Sequence, residues 1–237
     1  VNASSGTVSI VQKLFGVGAA TTVTNVTVGN APNGIAVSSD GTRAYVANSG
    51  SGTVSIIDYS YAGGTATPSV RTVTLGGQPT KVAVSADGTR AYVTNATTGT
   101  VSLISYSGGT PTVETINVGS GPREVAVSAD GRRALVYGAG GSVYVIKSNP
   151  GAAATSVRVP GSYYSYTDYS YTDGFIALSA DGSRGYVTDH SSKLVAIIDL
   201  TTPTPGVWSV YLTEDLSNDY PHSVATTANG ARGFVVT

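Results

Sequence analysis

Apolar and polar positions alternate in short runs along most of this chain, and each run stops at a turn. Val82–Ser85 reads V-A-V-S and Ala91–Thr94 reads A-Y-V-T, with Asp87-Gly88 between them. A period of two over four to eight residues predicts half-buried strands. Asp-Gly favours the positive φ that closes a tight hairpin. The block recurs as IAVSSDGTRAYVAN from Ile35, VAVSADGTRAYVTN from Val82 and VAVSADGRRALVYG from Val125. IALSADGSRGYVTD follows from Ile176 and VATTANGARGFVVT from Val224. The turns are anchored at Asp40, Asp87, Asp130, Asp181 and Asn229, at intervals of 47, 43, 51 and 48 residues. An arginine follows two residues after each turn glycine (Arg43, Arg90, Arg133, Arg184 and Arg232). Recurring once per unit, these arginines are expected to serve the fold rather than a ligand.

A second strand pair follows each hairpin, as in GTVSIID and then SVRTVTLG. Four antiparallel strands every 40 to 50 residues predict the blade of a β-propeller. The expected fold is therefore all-β, a single domain over residues 1–237. The last unit holds only first and second strands, while VNASSGTVSIV and TTVTNVTVG at the start read as a third and a fourth. Joined, they make one composite blade, which predicts a five-bladed ring of four-stranded antiparallel blades closed by strands from both ends. Such closure hides edge strands that would otherwise stay unpaired.

The segments A-Y-V-T-N at 91–95 and A-Y-V-A-N at 44–48, with the lead-in P-x-x-V-A-V-S-x-D-G and the trailing G-T-V-S-[IL]-I, resemble YVTN-repeat β-propellers of bacterial and archaeal surface proteins. The resemblance runs through nearly the whole chain and weakens at Ala134–Gly138 and in the last unit. It implies the fold and says little about activity. Members of that family more often carry seven blades, so five departs from the pattern.

Composition narrows the functional classes. The net charge of −1 supplies no basic field for nucleic acid or an anionic membrane, and no apolar run approaches a membrane span. The absence of cysteine removes disulfides, thiolate ligands and thiol nucleophiles. Abundant glycine, serine, threonine and tyrosine with little lysine point to a secreted or cell-surface protein, and Asn2, Asn25 and Asn95 each open an N-x-[ST] triplet. Dinucleotide, P-loop, G-x-S-x-G and H-E-x-x-H signatures are missing.

Loop lengths locate the candidate site. The step from Gly29 to Ile35, from Gly76 to Val82 and from Gly119 to Val125 is six positions, each loop bearing a proline three before the strand valine or isoleucine. The step from Gly161 to Ile176 is fifteen positions, and that from Thr213 to Val224 is eleven. The long loop is SYYSYTDYSYTDG, an insertion on the propeller face opposite the Asp-Gly turns. Insertions in one sector of one face are where repeat proteins carry function. The candidate ligand-binding residues are Tyr163, Tyr164, Tyr166, Asp168, Tyr169, Tyr171, Asp173, Asp189, His190, Asp219, Tyr220 and His222. Glu124, Glu214 and Asp215 fall near the same face. Tyrosine offers flat apolar area with a hydrogen-bonding tip at low entropic cost, which suits a glycan or a protein partner. Lys81 and Arg123, just before first strands, read as a solvated rim or an anion contact.

The expected function is recognition of a glycan or surface protein, with no catalytic residue assigned. One alternative is a hydrolase or lyase using the histidine and aspartate cluster; another is a structural surface-layer module. No cofactor is expected unless His190, His222 and two of Asp168, Asp173, Asp189 and Asp219 hold a divalent metal.

Overall fold

The computed structural model describes residues 1–13, 21–62, 65–119, 121–148, 154–159, 174–190, 192–212 and 221–237. Strands β1 (Thr7–Lys13) and β2 (Thr21–Thr27) pair as a two-stranded sheet. Strands β3 (Pro32–Val37), β4 (Arg43–Asn48), β5 (Thr53–Ala62) and β6 (Thr65–Thr74) form the first four-stranded antiparallel sheet. The second comprises β7 (Pro79–Val84), β8 (Arg90–Asn95), β9 (Thr100–Ser105) and β10 (Thr112–Asn117). The third comprises β11 (Pro122–Val127), β12 (Arg133–Gly138), β13 (Ser142–Lys147) and β14 (Thr155–Arg158). The fourth comprises β15 (Ile176–Leu178), β16 (Arg184–Asp189), β17 (Leu194–Asp199) and β18 (Gly206–Tyr211). Strands β19 (Ser223–Thr226) and β20 (Gly233–Val236) make a last two-stranded sheet.

Every four-stranded sheet keeps its strands in sequence order, and the first strands lie side by side: β3 by β7, β7 by β11, β11 by β15 and β15 by β19. This is the stacking of propeller blades around an axis lined by first strands. The sheets β1–β2 and β19–β20 stand as separate two-stranded sheets.

The core lies between blades. Tyr45, Val54 and Ile56 of one blade pack on Ala91, Val93 and Ile104 of the next. Tyr92, Val101 and Leu103 meet Ala134, Val136 and Ile146, and Leu135, Val143 and Val145 meet Val187, Ala196 and Ile198. The period-two pattern therefore buries both faces of the second and third strands of the four-stranded blades, one against each neighbouring blade.

The turn of each repeat is built by its own side chains. The Ser38 hydroxyl donates to Asp40 Oδ1 at 2.6 Å, and the Thr42 amide donates to the same oxygen at 3.0 Å. Ser85, Ser128 and Ser179 repeat the contact on Asp87, Asp130 and Asp181 at 2.6 Å. Only the glycine takes positive φ, 72° at Gly41 and 69° at Gly88. The loop thus spans the four residues inside the Ser38 amide–Arg43 carbonyl bond, longer than a two-residue hairpin turn.

These turns also bond one blade to the next. The Ser39 amide donates to the Ala86 carbonyl, Ala86 to Ala129, Ala129 to Ala180 and Asp181 to Ala228, at 2.8 to 3.1 Å. The repeated arginines take part: Arg43 Nη1 donates to the carbonyls of Gly88 and Tyr106 at 3.1 Å, and its Nε pairs with Asp58 at 2.6 Å. Arg133 Nη1 donates to the Gly182 carbonyl at 2.8 Å.

Candidate functional site

At the end of the blades opposite the Asp-Gly turns, each chain crossing enters its first strand through a proline or its replacement. Register shifts lie at Pro32/Gly34, Pro79/Val82 and Pro122/Glu124. Such a bulge re-aims the side chains beside it. In the second to fourth blades these residues line a cavity of about 440 Å³ bounded by Thr80, Lys81, Ala96, Pro122, Arg123, Glu124, Gly174 and Phe175.

The threonines of the second strands hold this wall in place. The Lys81 amide donates to Thr94 Oγ1 at 3.1 Å, and the Phe175 amide donates to Thr188 Oγ1 at 3.0 Å. Thr80 and Thr94 hydroxyls lie 3.0 Å apart. Lys81 Nζ stands 3.0 Å from Glu124 Oε1, linking two blades across the cavity wall, with both side chains partly in solvent. A cation, a carboxylate held against it, a second cation at Arg123 and one aromatic ring give the cavity polar anchors beside an apolar surface. That combination holds a small polar ligand in a fixed orientation.

Gly174 has no room for a side chain. A Cβ there would meet the Tyr137 ring and approach the Thr188 carbonyl oxygen to 2.7 Å. Tyr137 stands where the second and fourth blades carry Thr94 and Thr188, so the third blade fills with a ring the space that Gly174 leaves open.

The candidates expected from sequence divide in two. Tyr163, Tyr164, Tyr166, Asp168, Tyr169, Tyr171, Asp173, Asp219 and Tyr220 lie outside the described residues, as do Glu214 and Asp215. Asp189, His190 and His222 are described. Asp189 is buried and accepts from the Ser192 amide at 3.1 Å and the Ser192 hydroxyl at 3.2 Å, so its carboxylate braces the turn from β16 to β17. Asn48 and Asn95 occupy the matching positions. Their Nδ2 groups donate to Ser55 and Ser102 at 3.0 Å, and their Oδ1 atoms are buried without a hydrogen-bond partner. The rings of His190 and His222 lie 5.4 Å apart, centroid to centroid, tilted by 57°. Among the described residues, no group of three or more His, Cys, Asp or Glu side chains is gathered for a metal.

Lys81 and Arg123, read from sequence as a solvated rim or an anion contact, line the cavity together with Glu124. Their signal is positional. Within the repeat, the pair that follows the proline at each first strand, or the residue in its place, changes every time: Asn33-Gly34, Thr80-Lys81, Arg123-Glu124, Gly174-Phe175 and His222-Ser223.

The stacked four-stranded sheets place the chain among β-propellers, with a largely apolar cavity between its second, third and fourth blades. A family model described as a seven-bladed β-propeller lactonase matches residues 3–118. No curated protein matches the chain in sequence. A solved protein of Lactobacillus plantarum is 20% identical, with 100% of this chain and 72% of that one covered at a TM-score of 0.69. A functionally unknown protein from Desulfotomaculum acetoxidans is 16% identical over 90% of this chain and 65% of its own, with a TM-score of 0.68. A putative 6-phosphogluconolactonase from Bacteroides uniformis is 16% identical over 87% and 66%, with a TM-score of 0.60. The chain thus spans just under two thirds of the last two. These likenesses establish the β-propeller fold.

Proposed function

We propose that this propeller is a hydrolase of the lactonase kind, acting at the cavity between the second, third and fourth blades on a small anionic substrate with a cyclic ester. The observation that carries the proposal is the Lys81–Glu124 pair, 3.0 Å apart on the cavity wall, with Arg123 and Phe175 lining the same space. Glu124 takes a proton from water while the resulting hydroxide adds to the ester carbonyl carbon. Lys81 and Arg123 stabilise the oxyanion and hold the substrate's negative group. The ring C–O bond then breaks, and the departing alkoxide recovers the proton from Glu124. The match to a lactonase family model and the likeness to a putative 6-phosphogluconolactonase support the reaction class.

A panel of aldonolactones and aliphatic lactones, followed by acid release, tests this. Glu124→Gln is expected to lower kcat by about 100-fold or more with little change in KM, the usual range for a lost general base. Lys81→Met is expected to raise KM. Turnover at the wild-type rate in Glu124→Gln overturns the proposal.

Recognition of a glycan or protein through the tyrosine run is the second reading. Residues 162–173 lead directly into Gly174 and Phe175, both on the cavity wall, and this continuity favours it. Binding on a glycan array that survives deletion of residues 162–172 would discard it.

The same proposal extends to the ring. A five-bladed closure brings β19–β20 beside β1–β2 as one composite blade. Its support is the pair of apolar faces on the two sides: Trp208, Val210, Phe234 and Val236 against Val11, Val23, Ile35 and Val37, all exposed. A seven-bladed ring would need two further blades between them.

A further inference from the structure

We propose that His190 and His222 form a binding site for a divalent transition metal, bridging the fourth blade and the β19–β20 sheet. The sequence contains only two histidines, and the fold brings them together from positions 32 residues apart. His190 sits in the turn after β16, half-buried. His222 directly precedes β19, is exposed, and is fixed to the hairpin by its amide bond to the Val236 carbonyl at 2.8 Å.

Ring geometry admits this ligand class. With metal–nitrogen bonds of about 2.0–2.1 Å at a near-tetrahedral angle, two imidazoles sharing one ion have centroids roughly 5 Å apart. The observed separation is 5.4 Å, and the 57° tilt is far from a parallel stack. His222 is exposed and His190 half-buried, so water can reach the pair to complete the coordination shell. Imidazole nitrogen favours zinc, nickel and copper, whereas magnesium and calcium require oxygen-rich cages. With no cysteine in the chain, this pair is its softest donor set. One ion here would tie β16 to β19, joining the terminal sheet to the blade it packs on. The site is separate from the Lys81–Glu124 cavity wall and stands or falls independently of the lactonase proposal.

The test uses the full chain without a histidine tag, stripped with chelator, and titrated calorimetrically with Zn²⁺, Ni²⁺ and Mg²⁺. One Zn²⁺ or Ni²⁺ per chain and no Mg²⁺ are expected for the wild type. His190→Ala and His222→Ala are each expected to weaken binding at least tenfold. Zinc should raise the Tm of the wild type and leave that of both variants unchanged, since an ion that binds only the folded chain stabilises it. Metal-free melting of each variant checks that it folds. If a variant does not fold, His190→Gln and His222→Gln replace it under the same criterion. Absence of zinc and nickel binding in the wild type overturns the proposal, as does binding undiminished by both substitutions.

Discussion

The Tyr92 hydroxyl donates to the Gly131 carbonyl oxygen of the following blade at 2.8 Å, and both groups are buried at the blade boundary. Tyr45 repeats the contact on Gly88 and Tyr186 on Gly230, also at 2.8 Å. The tyrosine of each A-Y-V or G-Y-V segment is thus a latch between blades as well as a core residue. Burial pushes the Tyr45 and Tyr92 hydroxyls up to a pKa of about 12, so the latch keeps its proton throughout the neutral range.

Tyr92→Phe keeps the ring and removes the donor, leaving the Gly131 carbonyl short of a partner. The expected loss is about 1–2 kcal/mol in urea unfolding. Tyr45→Phe is expected to lose less, because Arg43 Nη1 also donates to Gly88 at 3.1 Å. Equal losses at the two positions would contradict the backup role of Arg43. In the third blade Leu135 replaces the tyrosine, and Arg133 supplies the next turn, at the Gly182 carbonyl, at 2.8 Å.

The turn aspartates are expected to contribute to the acid limit of stability. The Ser38 hydroxyl, then the amide and hydroxyl of Thr42, lower the Asp40 carboxyl from 3.8 to about 2. Hydrogen bonds from Ser85 and Ser179 likewise lower Asp87 and Asp181. A carboxylate favoured by the folded state contributes fully above its unfolded pKa and loses that contribution as pH falls through the folded one. The Tm is therefore expected to decline between about pH 4 and pH 2. Asp40→Asn should flatten part of that decline, and Asn229 already occupies the matching turn with its side-chain oxygen accepting from Ala231 at 3.1 Å. An unchanged acid slope in Asp40→Asn would argue against this linkage.

Much of the fold was legible because the repeat is local. A strand, its turn serine and aspartate, and the returning strand lie within fourteen residues, so their periodicity survives in the sequence. The contacts that join blades do not: Arg43 reaches Gly88 and Tyr106, 45 and 63 residues away. The site was half legible. Loop length drew attention to the tyrosine run and the two histidines, whereas Lys81, Arg123 and Glu124 open first strands that follow connections of ordinary length. Only their failure to repeat distinguishes them, and the same residues in a blade without a cavity would be surface charge.

Two glycines of the fourth blade, Gly174 on the cavity wall and Gly185 at the turn end of β16, should respond unequally to alanine. At Gly174 the obstacle includes the Thr188 carbonyl oxygen at 2.7 Å, part of a paired backbone that cannot yield without moving Phe175. At Gly185 the obstacle is the side-chain end of Leu135, which can change rotamer. Gly174→Ala is expected to cost about 1–3 kcal/mol and Gly185→Ala less, both read from urea unfolding. A larger loss at Gly185 would mean that the Leu135 side chain is locked in place.

Phe234 occupies the position of Tyr45, Tyr92 and Tyr186 in the repeat, yet it is 63% exposed where Tyr45 and Tyr92 are 0%. Five-bladed closure would cover it by pairing β20 with β1. The register of β4 with β5 sets Val46 opposite Ser55, which maps onto Val235 opposite Ser9. Directly opposed residues of an antiparallel pair have Cα atoms about 4.5–5.5 Å apart, within reach of a disulfide. The sequence has no cysteine, so Ser9→Cys with Val235→Cys gives an unambiguous reporter. Under mild oxidation, closure predicts a cross-linked monomer that migrates faster on non-reducing gels. A cross-linked dimer, or two free thiols after oxidation, would exclude closure by the chain's own ends and leave Phe234 and Val236 facing another partner.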